Sequence, residues 1–128
     1  MMDDVGIFRT TITVAHPARP DDRRQLQNVL VDTGSEYNWI PRQVLEELGV
    51  QPDRTERFET ASGEILERDI GSAYLSAAGR SVACIVTFAD PGDMTLLGAI
   101  ALQSLNLRLD LARRELVPAG PVLVAAAA

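Results

Sequence analysis

Lysine is absent from this chain: all twelve basic residues are arginine. Acidic residues outnumber them, eighteen to twelve, for a formal net charge of −6. Holding nucleic-acid phosphates needs a net basic face, so that class of partner is excluded. The single cysteine, Cys84, permits no internal disulfide and no cysteine-based zinc site, which accords with a reducing compartment. The single histidine, His16, stands in a proline-bearing stretch, HPARP, and not beside a serine or cysteine nucleophile. The carboxylates do not fall into a metal-ligand spacing, so neither metal nor cofactor is expected. No apolar run approaches the ~20 residues that cross a bilayer. The opening MMDDVGIF is acidic and lacks the basic and apolar regions of a signal peptide. A cytoplasmic location, with no membrane partner, is the expectation.

What is present is enough for one core. A chain of 128 residues with 46% hydrophobic content suits a single domain spanning residues 1–128, but not two lobes with a cleft between them. Residues 5–118 carry the core. Residues 119–128, with PVLVA in them, read as an interface strand or a flexible tail.

Residues 5–15, VGIFRTTITVA, are rich in β-branched side chains and read as a strand. HPARPDDRR reads as an exposed loop, and LQNVLVD (26–32) as a second strand. PRQVLEELG carries apolar Val44, Leu45 and Leu48 on one face, with Pro41 at the first helical position and Gly49 at the C-terminal cap. Residues 56–61 and 64–75 flank Ser62-Gly63 and read as a long hairpin with its tip there. AAGR and ADPGD are turns on either side of a strand, SVACIVTF. MTLLG is a buried apolar segment, AIALQSL a short helix, and NLRLDL and RRELVP are short strands about Ala112-Arg113. Short strands with one or two small helices make an all-β fold, best matched by a closed or partly closed barrel.

One feature conflicts with this apolar economy. The buried run Val29-Leu30-Val31 delivers Asp32 into a Thr33-Gly34-Ser35 turn, followed three residues later by Trp39-Ile40-Pro41. A carboxylate at the end of a buried strand is costly unless hydrogen-bonded or paired. An Asx turn is the plain reading of the tripeptide. The wider pattern resembles the active-site loop of aspartic peptidases, with a pepsin-like D-T-G-S-x-x-x-W-I-P continuation. Leu96-Leu97-Gly98 is similar to the apolar-apolar-glycine segment that crosses beside that loop to complete the family's psi-shaped motif. A glycine-tipped hairpin lies between the two, where the family carries its flap.

The chain is thus similar to the retropepsin-like aspartic peptidases, and the resemblance implies roles for particular residues. Asp32 is the catalytic carboxylate. Gly34 permits a tight turn and close backbone approach. The Thr33 hydroxyl bonds across to a symmetry mate, and the Ser35 hydroxyl donates to the outer oxygen of Asp32. Ala61, Ser62 and Gly63 form the flap that closes over an extended polypeptide substrate. Asp32 needs a partner carboxylate, since the reaction uses one ionised and one protonated group. Asp69-Ile70-Gly71-Ser72 is the only other candidate, but it follows Leu66-Glu67-Arg68 and no buried apolar run, and it reads as a surface or bulge feature. The economical arrangement is a twofold homodimer placing two copies of Asp32 face to face. The expected activity is that of an aspartic endopeptidase with no covalent intermediate. The alternative is a catalytically silent module of the same fold that dimerises or binds peptides. Trp39 either lines a substrate pocket or fills the core. The flap tip carries no aromatic to meet it. Cys84, inside a strand, reads as packing.

Overall fold

The computed structural model describes residues 8–125. Along them run β1 (Phe8–His16), β2 (Arg19–Val31), β3 (Trp39–Pro41), α1 (Arg42–Glu47), β4 (Arg54–Glu59), β5 (Ile65–Ala77) and β6 (Arg80–Ala89). β7 (Leu96–Leu97), α2 (Ala99–Leu105), β8 (Leu107–Asp110) and β9 (Glu115–Pro118) follow. The fold is mostly β. Residues 5–7 of the first expected strand, and the last three alanines, lie outside the described residues.

Seven strands form one sheet in the order β1-β2-β7-β3-β6-β5-β4, while β8 and β9 make a separate hairpin. β1 also pairs with β5, from Thr13 opposite Ser76 to Ala15 opposite Tyr74, so the ladder returns on itself. Alternation along the strands sends one set of side chains inward. Ile12 and Val14 of β1, Ala73 and Leu75 of β5, and Val86 and Phe88 of β6 are all buried in one cluster. Leu45 of α1 and Leu102 of α2 close it.

Two segments differ from the sequence reading. Residues 19–25 are not a loop. Only Pro17 and Ala18 turn, and β2 then pairs with β1 from Arg19 opposite His16 onward. The prolines and mixed charge reported exposure correctly and backbone wrongly. This half of β2 pairs with β1 alone, and a proline is tolerated on such an edge. Trp39-Ile40-Pro41 is not merely a loop continuation but a strand of its own. It runs parallel to β6, with Trp39 opposite Thr87 and Pro41 opposite Ala89. Pro41 ends that strand and caps α1, which begins one residue later than expected. The β4–β5 hairpin, its turn at 61–63 and α2 fall where the sequence places them.

Among the described residues no helix is long and apolar enough to cross a membrane. Residues 119–125 pair with no strand and leave Val122, Leu123 and Val124 exposed.

Phe88 is fully buried, with the Arg42 guanidinium 5.2 Å from its ring centroid. Phe88→Ala removes the largest of the wholly buried side chains. It is expected to lower unfolding free energy by about 4 kcal/mol, read from the urea midpoint at unchanged m-value.

Candidate active site

β2 carries the chain from the core to Asp32, and the backbone turns at once. The Asp32 amide donates to the Leu97 carbonyl at 3.0 Å, continuing the parallel β2–β7 ladder by one bond. The Ser35 amide donates to the Asp32 carbonyl at 3.1 Å, and the Gly34 amide donates to Asp32 Oδ1 at 2.9 Å. Two consecutive turns of the chain therefore orient one carboxylate, which is half-buried while Thr33 and Gly34 are exposed. The expected Ser35 bond to Asp32 is absent. Ser35 Oγ donates instead to the Tyr37 carbonyl at 3.2 Å.

Crossing this loop is the segment Leu96-Leu97-Gly98. A Cβ on Gly98 would collide with the carbonyl oxygens of Tyr37, Ser35 and Glu36. Only glycine lets the two backbones approach this closely. The approach places the Ala99 amide 2.7 Å from the Ser35 carbonyl and the Ile100 amide 3.0 Å from the Glu36 carbonyl. Leu96 faces the cleft and Leu97 the core.

The sequence reading passed over Asn38, one of the three residues between Ser35 and Trp39. It is wholly buried. Its Oδ1 accepts from the Gly98 amide at 2.8 Å, its Nδ2 donates to the Ile85 carbonyl at 2.9 Å, and its carbonyl accepts from the Thr87 amide at 2.7 Å. A polar residue ahead of a buried aliphatic strand is the only signal that marks it.

A cleft of about 860 Å³ opens above the loop. Asp32, Tyr37 and Trp39 form part of its floor, Phe58, Ala61 and Leu66 belong to the overlying hairpin, and Met94 and Leu96 line one side. Of the three expected flap residues, Ala61 lines the cleft, while Ser62 and Gly63 form the turn beyond it. That turn is self-braced. Thr60 Oγ1 accepts from the Glu64 amide at 3.1 Å and meets Ser62 Oγ at 3.0 Å, and Gly63 takes φ +88°.

Trp39 does meet an aromatic of the β4–β5 hairpin, though not at its tip. The Phe58 ring packs edge-on against Trp39 at 5.0 Å and Tyr37 at 5.5 Å. Phe58 lies on β4, on the inward side of its alternation with Arg57 and Glu59. Trp39 thus both lines the cleft and packs.

Asp69 lies outside the cleft lining. Its two oxygens accept from Arg42 Nη1 at 3.0 Å and Thr55 Oγ1 at 3.1 Å. Arg42 also donates to Asp90 at 2.9 Å. Nearby, Arg68 of β5 makes a forked pair with Asp93, at 2.7 and 3.0 Å. Asp93 lines the cleft, so this pair ties β5 of the hairpin to the cleft wall. The Arg68 hydrogen bond, opposed in part by burial and helped by the Asp90 amide, holds the Asp93 carboxyl below its usual range. Burial pushes the Cys84 thiol up to about 11, so it stays protonated at neutral pH. Among the described residues no group of His, Cys, Asp and Glu could hold a metal ion.

Residues 17–100 match the model of a family described as aspartyl protease. Among solved structures, the protease of Simian Foamy Virus (mac), determined in solution, is 19% identical. The match covers 73% of this chain and 92% of that chain, with a TM-score of 0.48. No curated protein matches.

Two outcomes follow from this geometry. Gly98→Ala is expected to destabilise the protein by about 3 kcal/mol, the upper end of overpacking costs, because three carbonyls rather than flexible side chains block the added carbon. The urea midpoint measures it. The depressed Asp93 carboxyl contributes stability that is present above its unfolded pKa and lost as pH falls through the lower folded value. The stability gap between wild type and Asp93→Asn is therefore expected to be about 2 kcal/mol at neutral pH and to close below about pH 4. Urea titrations across that range check it.

Proposed function

Because the chain belongs to the aspartyl protease family, we propose that it is an aspartic endopeptidase whose active site is shared by two copies of the chain. The observation that carries this reading is Asp32, a cleft-lining carboxylate that ends a buried strand and is aimed by the Gly34 amide. Asp90 also ends a buried strand at a turn, but it is paired with Arg42 and Arg68. Asp69 is engaged with Arg42 and Thr55 away from the cleft. A twofold axis beside the exposed Thr33 and Gly34 brings a second Asp32 opposite the first. The sheet that returns on itself then acts as a retropepsin-like barrel, with residues 8–118 as one domain. The exposed Val122–Val124 stretch supplies an interface strand.

The chemistry follows from the pair. Two carboxylates at hydrogen-bond distance do not both ionise, so they share one proton, and their apparent pKa values belong to the dyad. The ionised Asp32 takes a proton from a water held between them. The oxygen of that water forms a bond to the scissile carbonyl carbon. The protonated Asp32 donates to the carbonyl oxygen. Collapse of the tetrahedral intermediate breaks the C–N bond as the leaving nitrogen takes a proton. The Gly34 amide braces each carboxylate, the Ser35 amide closes the turn on the Asp32 carbonyl, and the Thr33 hydroxyl bonds across to the second copy. Leu96, Leu97 and Gly98 hold the loop from behind. The backbone of Ala61, Ser62 and Gly63 meets an extended peptide by strand-like hydrogen bonds, and the hairpin closes as a lid. No cofactor enters.

Asp32→Asn keeps an acceptor for the Gly34 amide and removes the general base. Cleavage of a peptide library is expected to fall about 10³-fold or more, with the dimer mass by sedimentation unchanged. Turnover of wild-type size in that variant overturns the assignment. A wild type that dimerises yet cleaves nothing from acid to neutral pH makes the chain a silent peptide-binding module.

A further inference from the structure

We propose that Asn38 is the positioning residue of the active-site loop, its buried side-chain amide fixing the backbone frame from which Asp32 projects. This rests on the peptidase reading of Asp32.

Asn38 does not line the cleft, so it acts through other groups. Its side chain has two jobs on one planar group. Oδ1 must accept from the Gly98 N–H, and Nδ2 must donate to the Ile85 carbonyl. The two partners fix the amide orientation, since a backbone N–H requires an acceptor and a carbonyl a donor. Ionised aspartate lacks the donor, and leucine lacks both. Each lost bond leaves a backbone group without its partner, and the buried Gly98 amide has no water to replace it.

The chain of contacts to the carboxylate is short. Gly98, held by Asn38, presses against the carbonyls of residues 35–37. The next two amides bond the Ser35 and Glu36 carbonyls, and the preceding Leu97 carbonyl holds the Asp32 amide. The Gly34 amide, inside this frame, sets the direction of Asp32 Oδ1. Displacements near 1 Å in a reacting group cost about 100-fold in rate, and a two-carboxylate site makes the same demand twice. The effect of losing the amide therefore falls on turnover and not on peptide binding.

Asn38→Leu and Asn38→Asp, made in the full chain, test this on a peptide that the wild type cleaves. Folded fraction and dimer mass are measured at each pH. Asn38→Leu is expected to lower kcat about 100-fold, with KM within about threefold. Asn38→Asp is the rescue. As a neutral acid it accepts from Gly98 and donates its O–H to the Ile85 carbonyl, so at acid pH kcat returns to within about threefold of wild type. As pH rises it ionises and loses the donor, so its kcat falls at lower pH than in the wild type, whose own alkaline limb belongs to the Asp32 pair. Among the described residues the titratable group in contact with the Asn38 side chain is the Cys84 thiol, 3.5 Å from Nδ2, and burial raises its pKa to about 11.

A folded Asn38→Leu with wild-type kcat overturns the proposal. So does an Asn38→Asp profile parallel to wild type, or a loss confined to KM. If Asn38→Leu does not fold, the Asn38→Asp profile decides alone. A wild type that cleaves no peptide defeats the peptidase reading and this inference with it. Wild-type turnover with unaltered variants defeats the inference only.

Discussion

The Gly98 amide and the Asn38 side chain meet where water does not reach, and the cleft is built around that meeting. The loop after β2 has no regular ladder of its own. It is fixed by a second backbone lying across it, close enough that carbonyl oxygens replace what would be a side chain. Such closeness exposes unpaired backbone groups to a dry interior unless each finds a partner. Here the Ser35, Glu36, Ile85 and Leu97 carbonyls and the Gly98 amide are all matched. A half-satisfied crossing would be worse than none, which is why the Asn38 amide is retained in a largely apolar core.

The hairpin over the cleft is secured differently on its two arms. β4 leans on the floor through the Phe58 ring, an apolar edge-to-face contact. β5 is tied to the cleft wall by the forked Arg68–Asp93 pair, which is mostly shielded from solvent. The first contact is indifferent to pH and the second gives way in acid. Between them the tip closes on its own bonds: the Thr60 amide to the Glu64 carbonyl at 2.8 Å, the Gly63 amide to the Thr60 carbonyl at 2.9 Å, and the Thr60 hydroxyl to Ser62 and the Glu64 amide.

Much of the architecture was legible in the sequence because it rests on local signals. Glycine and proline marked the turns at 62–63, 78–79 and 90–93, and β-branched alternation marked the strands between them. Asp32 was legible because a carboxylate at the end of Val29-Leu30-Val31 has no plain apolar explanation. What escaped was set by tertiary partners. Residues 19–25 look like a loop by composition, yet β1 pairs with them. Trp39-Ile40-Pro41 is too short to announce a strand, and becomes one only because β6 and β7 lie on either side. Asn38 and Phe58 owe their importance to residues 60 and 19 positions away along the chain, respectively. The Ser35 bond was misassigned because a one-residue difference in turn direction decides which carbonyl or carboxylate its hydroxyl reaches.

The parallel pairing of β2 with β7 has a consequence in time. Leu30 meets Leu96, and Val31 meets Leu97, across more than half of the chain. The β4–β5 and β5–β6 hairpins close over short loops and can form early, whereas this ladder must wait for a long loop closure. During synthesis Asp32 emerges first and its frame follows some sixty residues later. A nascent chain therefore carries Asp32 for about half of its elongation without the crossing segment that holds its backbone, and the order of assembly delays the finished loop until the sheet is nearly complete.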